Sequence, residues 1–214
     1  ALPGHAFSAS EVRPAACRQA IQPARAALYV SARVFQVDES TADHVHVVEV
    51  SSFQLQTTTT FRPWVAVWLN FAADHLDQHA SLAEYADAKA RIFANQSGGD
   101  WAVVNADDAL VMERVASARS QRVTFSLDGR EGTDFVVERD WIARRTPTGS
   151  VPVVPTAAVE LTGRHMLNNV LAATAVSHVA GVKPAAMAEA LRGFRGLEHV
   201  MESAGEVGGV RFVN

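Results

Sequence analysis

Val65-Ala66-Val67-Trp68-Leu69-Asn70 and Trp101-Ala102-Val103-Val104-Asn105-Ala106-Asp107-Asp108 are the two stretches that decide the fold. Each is a short apolar run, and each ends in polar or acidic groups. A third run, His46-Val47-Val48-Glu49-Val50, closes in the same way in Ser51-Ser52. Longer stretches of helical periodicity lie between the runs, and that alternation is the sequence form of βα units on a parallel sheet. Such strands are buried on both faces, and open sheets of this kind bind ligands beyond the C-terminal ends of their strands. The expected fold class is therefore α/β, a mainly parallel sheet flanked by helices over residues 44–197, with Glu49, Asn70 and Asn105 along one edge.

The flanking stretches read accordingly. Residues 81–96 form a helix capped by Ser81, with Glu84 placed to complete a capping box, and residues 107–118 form a second. Between 122 and 161 the runs Arg122–Phe125, Phe135–Glu138 and Ala157–Leu161 read as shorter strands in a small mixed β region. Helical periodicity returns over 165–180 and stops at Gly181, and Pro184 opens another helix to about residue 192. Residues 1–43 carry no motif, and 198–214, ending in Val210-Arg211-Phe212-Val213, read as the start of a further domain.

The 214 residues, 48% hydrophobic and 20% charged, suffice for one substantial core. A net charge of -4 with no Lys/Arg run argues against nucleic acid as a partner. Cys17 is the single cysteine, which excludes an internal disulfide and suits a cytoplasmic location. No apolar run approaches the roughly 18 residues of a spanning helix, and Arg13, Arg18, Arg25 and three prolines break any signal core in residues 1–30. Neither membrane insertion nor export is expected.

Several residues have chemistry that their positions do not require. Lys89 falls within the apolar stripe Leu82, Tyr85, Ala86, Ile92 and Phe93 of its helix, so it faces inward. Either its stem packs while the ammonium reaches solvent, or partial burial leaves a neutral amine able to act as nucleophile or to be carbamylated by carbon dioxide. Glu49 ends an apolar run, and its charge calls for solvent or a cation. The segment Asp74-His75-Leu76-Asp77-Gln78-His79 adds oxygen and imidazole donors that, with Glu49, could hold a divalent ion or simply be solvated. His44, His46, His75 and His79 raise a zinc alternative, without an H-E-x-x-H motif or a cysteine pair to support it. His165 and Asn169, four apart, project from one helix face, where an amide can pair with an adenine edge or stay exposed.

These positions recur in order within stretches that resemble one family. Glu49 to Thr58 is similar to the E-x-S-S-F-Q-L-x-T-T stretch of the D-glutamate-adding branch of the Mur ligases. Leu69-Asn70 with Asp74 to Asp77 resembles L-N-x-x-x-D-H-x-D, Tyr85 to Phe93 resembles Y-x-x-A-K-x-x-I-F, and Val104 to Asp108 resembles V-N-x-D-D. Gly163-Arg164-His165 with Asn169, Leu171, Ala172 and Ala173 resembles G-x-H-N-x-x-N-x-L-A-A, and Gly193 to His199 resembles the crossing into the C-terminal domain. The resemblance covers about residues 44–214 and implies the family's central, ATP-binding domain.

What the resemblance implies is peptidoglycan precursor synthesis. ATP phosphorylates the carboxylate of UDP-N-acetylmuramoyl-L-alanine, and the amine of D-glutamate displaces phosphate from the acyl phosphate. Glu49 and His75 would bind magnesium, a carbamylated Lys89 would help to place a second ion, Ser51 would lie near the muramoyl substrate, and His165 and Asn169 would lie near adenine. Departures accompany the likeness. No G-x-x-x-x-G-K-[ST] loop precedes Glu49, because the chain's lysines are Lys89 and Lys183. Met166 stands for the motif's first asparagine, and Val200 for an arginine. The expectation is an incomplete or degenerate ligase copy, inactive alone; the alternative is a non-catalytic binding module that keeps the metal and substrate surface.

Overall fold

The computed structural model describes residue 41 and residues 44–74, 76–161, 163–194, 196 and 203–213. Six strands form one sheet in the order β1 (Val65–Trp68), β2 (Trp101–Asn105), β3 (Gln121–Ser126), β4 (Phe135–Glu138), β5 (Trp141–Thr146) and β6 (Gly149–Pro155). β1 to β4 pair in parallel, whereas β4, β5 and β6 pair antiparallel through two-residue turns. The sheet is thus mixed, and the β region expected over 122–161 extends the main sheet. A separate hairpin joins β7 (Ser203–Val207) to β8 (Val210–Val213).

The period of two along each strand sorts side chains into two cores. Ala66, Trp68, Ala102 and Val104 face α2 (Leu82–Ala90), the following single turn Arg91–Phe93 and α3 (Ala109–Val115), packing on Phe93, Val111 and Val115. The alternate residues Val103, Val123, Phe125 and Phe135 face α4 (Arg164–Val179) and α5 (Pro184–Arg192), packing on Val170, Leu171, Ala175, Met187 and Ala188. β2 is covered on both faces, which is why its sequence is continuously apolar.

Helix starts follow their capping chemistry. The Ser81 hydroxyl accepts from the Glu84 amide at 3.1 Å, while the Glu84 carboxylate accepts from the Ala80 amide at 3.0 Å rather than closing the expected box on Ser81. Asp108 caps α3 through the amides of Leu110 and Val111, both at 3.1 Å. Gly163, with φ of 102°, turns the chain into α4, and Pro184 occupies the first turn of α5, where no amide donor is needed. Ala180 is the C-cap of α4, and Gly181 follows it with φ of 77°.

Two expected strands are not formed. His46–Val50 belongs to no described strand, and Val47 and Val48 are 68% and 67% exposed. Valine-rich sequence favours a strand, yet a strand exists only through its ladder, and none of the described strands pairs with this run. Ala157–Leu161 is also not a strand: Thr156–Ala158 is a single helical turn. The strand there is β6, disguised by Pro152 and Pro155, which a sheet edge tolerates because edge positions need fewer amide donors. β5 was hidden by its charged Arg144-Arg145. Leu82, placed on the buried stripe of α2, is 41% exposed, and Ala88 is buried in its stead.

Candidate functional site

The C-terminal ends of β1, β2 and β3 form one polar edge, tied together by the residues after Val104. The Asn105 side chain donates to the Leu69 carbonyl at 2.9 Å and accepts from the Asp107 amide at 2.9 Å. Asp107 accepts from the Ser126 hydroxyl at 2.5 Å and from the Leu127 amide at 2.7 Å, beyond β3. Asp108, besides capping α3, accepts from the Phe71 amide at 2.6 Å, beyond β1. Asn70 and Asn105 therefore lie at the same edge, as their strand-end positions require. Glu49 is in exposed coil upstream of β1, off the sheet.

A second arrangement joins the segment after Glu49 to the loop before α2. Ser51 caps α1 (Ser52–Thr57), its hydroxyl accepting from the Gln54 amide at 3.2 Å and its own amide donating to the Gln54 side chain at 2.9 Å. Ser52 is buried and meets Nε2 of His79 at 3.0 Å. The His79 ring, 2% exposed, stacks on Phe53 at 5.3 Å between centroids and lies 4.9 Å from Tyr85. Its Nδ1 is 3.4 Å from the Gln56 amide nitrogen and 3.9 Å from the Glu84 carboxylate. Which ring nitrogen donates depends on the tautomer, and each of the two has a polar side chain within reach. Arg91 also fastens α1 to the end of α2 by donating to the carbonyls of Leu55, at 2.8 Å, and Thr58.

Lys89 is half-buried, and its Nζ lies 5.0 Å from the centroid of the Tyr85 ring. The lysine does turn toward the packed side of α2, where an aromatic face stabilises the cation. His75 lies outside the described residues. His79, counted among the donors of an acidic loop, is instead a buried ring engaged at both nitrogens.

His165 and Asn169 are both exposed in the first turns of α4. Asn169 Nδ2 approaches the thioether of Met166 at 4.0 Å. Arg164 pairs with Asp128, linking this helix start to the loop after β3. A methyl group at Gly163 would come within 2.8 Å of the His165 ring, so the glycine permits the position of that imidazole.

Among the described residues, no three His, Cys, Asp or Glu side chains converge to hold a metal ion. Magnesium favours oxygen donors. The Glu49 carboxylate supplies them, and Lys89 would supply them only as a carbamate. No described helix is long and apolar enough to cross a membrane.

Comparison with known proteins places this architecture. Residues 21–177 match the Mur ligase middle domain, a match that begins upstream of residue 44, where the resemblance in sequence was expected to start. A UDP-N-acetylmuramoylalanine--D-glutamate ligase of Acidobacterium capsulatum is 42% identical over 181 residues, covering 83% of this chain and 39% of that protein. Its counterpart in Pelotomaculum thermopropionicum is 40% identical, covering 85% of this chain and 40% of that protein. The chain thus spans about two fifths of the length of these relatives. Among solved structures, a UDP-N-acetylmuramoyl-L-alanyl-D-glutamate--2,6-diaminopimelate ligase aligns with a TM-score of 0.57 at 25% identity, over 75% of this chain and 34% of that one. MurF from Acinetobacter baumannii aligns with a TM-score of 0.56 at 22% identity, over 69% and 32%, which speaks to fold alone. The matched stretch takes in the whole six-stranded sheet, its polar edge and nearly all of α4, and the chain belongs to the Mur ligase family, of which it carries the middle domain.

Proposed function

We propose that this chain is the middle-domain portion of a ligase that joins D-glutamate to UDP-N-acetylmuramoyl-L-alanine in cytoplasmic peptidoglycan precursor synthesis. One observation supports the reading above others: the relatives sharing 40–43% identity across most of the chain are D-glutamate-adding ligases. In the reaction a substrate carboxylate oxygen attacks the terminal phosphorus of ATP and ADP leaves. The amine of D-glutamate then attacks the acyl carbon, phosphate departs and the nitrogen loses a proton. The protein's part is positioning and charge neutralisation.

On this reading Glu49, His75 and a carbamylated Lys89 hold magnesium, which when bound neutralises charge at the transferring phosphoryl group. A neutral Lys89 amine would attack carbon dioxide and lose a proton to give the carbamate. Ser51, at the start of α1, lies toward the muramoyl substrate, and His165 and Asn169 toward adenine. Labelled bicarbonate and magnesium should give a carbamate carbon-13 signal that Lys89→Ala removes; a spectrum without that signal refutes the lysine's role.

A non-catalytic binding module is the second reading, favoured by the absence of a G-x-x-x-x-G-K-[ST] sequence and by Met166 beside Asn169. Phosphate release with UDP-N-acetylmuramoyl-L-alanine, D-glutamate, ATP and magnesium distinguishes the two. Each preorganised donor missing from a transition state lowers the rate by about 10²- to 10³-fold, so the chain alone should show no release above background. Release that disappears in Glu49→Ala would establish an autonomous ligase.

A further inference from the structure

His79 belongs to none of the roles above, although it touches α1, which follows Ser51, and α2, which carries Lys89. It sits at the junction of α1 and the start of α2. Its ring is walled by Phe53 on one side and Tyr85 on another, and its Nε2 is fastened to Ser52. Tyr85 is held in turn by Phe71, at 5.0 Å between ring centroids, and carries the Lys89 amine on its face. A buried imidazole that spends its polar atoms on Ser52 and Gln56 has no apolar advantage over phenylalanine at this site. The hydrogen bond is what a phenylalanine could not supply, and it ties the ring to the residue next to Ser51.

We infer that His79 is a positioning residue: through Tyr85 it sets where the Lys89 amine lies, and through Ser52 it fixes that amine relative to the start of α1. The inference rests on the reading of Lys89 and the Ser51 segment as parts of one site. Two functions are separable within one side chain. The ring area governs Tyr85, and the hydrogen bond at Nε2 governs α1.

The chain holds only two lysines, Lys89 and Lys183, so lysine labelled with carbon-13 gives two sets of ε-methylene signals, assigned with Lys89→Arg. In the wild type the Tyr85 ring current should shift the Lys89 signal upfield of that of Lys183. His79→Ala and His79→Asn should both lose the shift, and His79→Phe, which restores the ring, should regain it. Val154→Ala, a cavity in the core beneath α5 on the other face of the sheet, controls for lost stability and should keep it. Persistence of the shift in His79→Ala and His79→Asn, or its loss in Val154→Ala, would overturn the inference. Manganese affinity read by electron paramagnetic resonance forms a second arm. Supporting groups around a metal site typically contribute 10- to 100-fold in affinity, so His79→Phe should bind manganese about tenfold more weakly than the wild type, despite its restored Lys89 shift. Affinity unchanged in His79→Phe overturns the α1 half. Failure of the wild type to bind manganese counts instead against the metal reading, and the lysine signal decides the position of Lys89 in either case.

Discussion

Two consecutive aspartates show how much a single position can hold. Asp107 reaches toward β3 and Asp108 toward β1, and each takes more than one donor. Asp108→Ala removes the cap of α3 and leaves the Phe71 amide without its acceptor. A lost cap costs about 1 kcal/mol and an orphaned, partly buried amide about as much again. The expected loss is about 2 kcal/mol, read as a lower urea midpoint with an unchanged m-value. His178 offers a test in pH. Burial of its ring, and then the neighbouring Arg144 guanidinium, hold its pKa below 6.5. As pH falls through 6.5 the unfolded chain takes up a proton that the folded chain declines, so stability declines until the lower folded pKa is reached and is flat below it. His178→Asn should lose that dependence between neutral pH and pH 5, measured by thermal unfolding across the range; an identical slope in variant and wild type would show that His178 does not cause it.

Helix α4 begins at a glycine whose φ of 102° suits no L side chain, and whose missing Cβ leaves room for His165. Gly163→Ala combines backbone strain with a clash and should cost about 1–3 kcal/mol, seen as a lower melting temperature. It should also shift the His165 resonances, and a variant as stable as the wild type would show that this turn is not constrained. The same scale explains what could be read from sequence. β1, β2 and the helix cap at Ser81 were legible because apolar period and capping chemistry are local, whereas the helix read over 107–118 starts only at Ala109, after its Asp108 cap. β5 and β6 were not, because Arg144, Arg145, Pro152 and Pro155 are acceptable only in their sheet positions. The His46–Val50 run misled for the opposite reason, since its composition favours a strand but no ladder among the described residues receives it. At the site, Lys89 was legible as a polar residue on a packed stripe. The burial of His79 was not, because it depends on Ser52, twenty-seven residues away.

For the molecule as a whole, protection should fall from the middle of the sheet outward. β2 pairs on both sides and is buried on both faces, whereas β1 and β6 are edges of the described sheet. Native-state hydrogen exchange should therefore be slowest at Val103 and Val104 and markedly faster along the outer side of β1; equal rates in β1 and β2 would mean that another part of the chain covers that edge. The division of the sheet into a parallel and an antiparallel half also bears on the order in which it assembles. β4, β5 and β6 follow one another through the turns Arg139-Asp140 and Pro147-Thr148, so their pairing closes very short loops. Joining β1 to β2 must instead close the interval from Trp68 to Trp101, and β2 can meet β3 only across α3. Closure entropy favours the short loops, so the hairpins form early and the polar edge at the C-terminal ends of β1 to β3 is completed last. Substitutions in β5 should then slow folding, while those in β1 chiefly hasten unfolding.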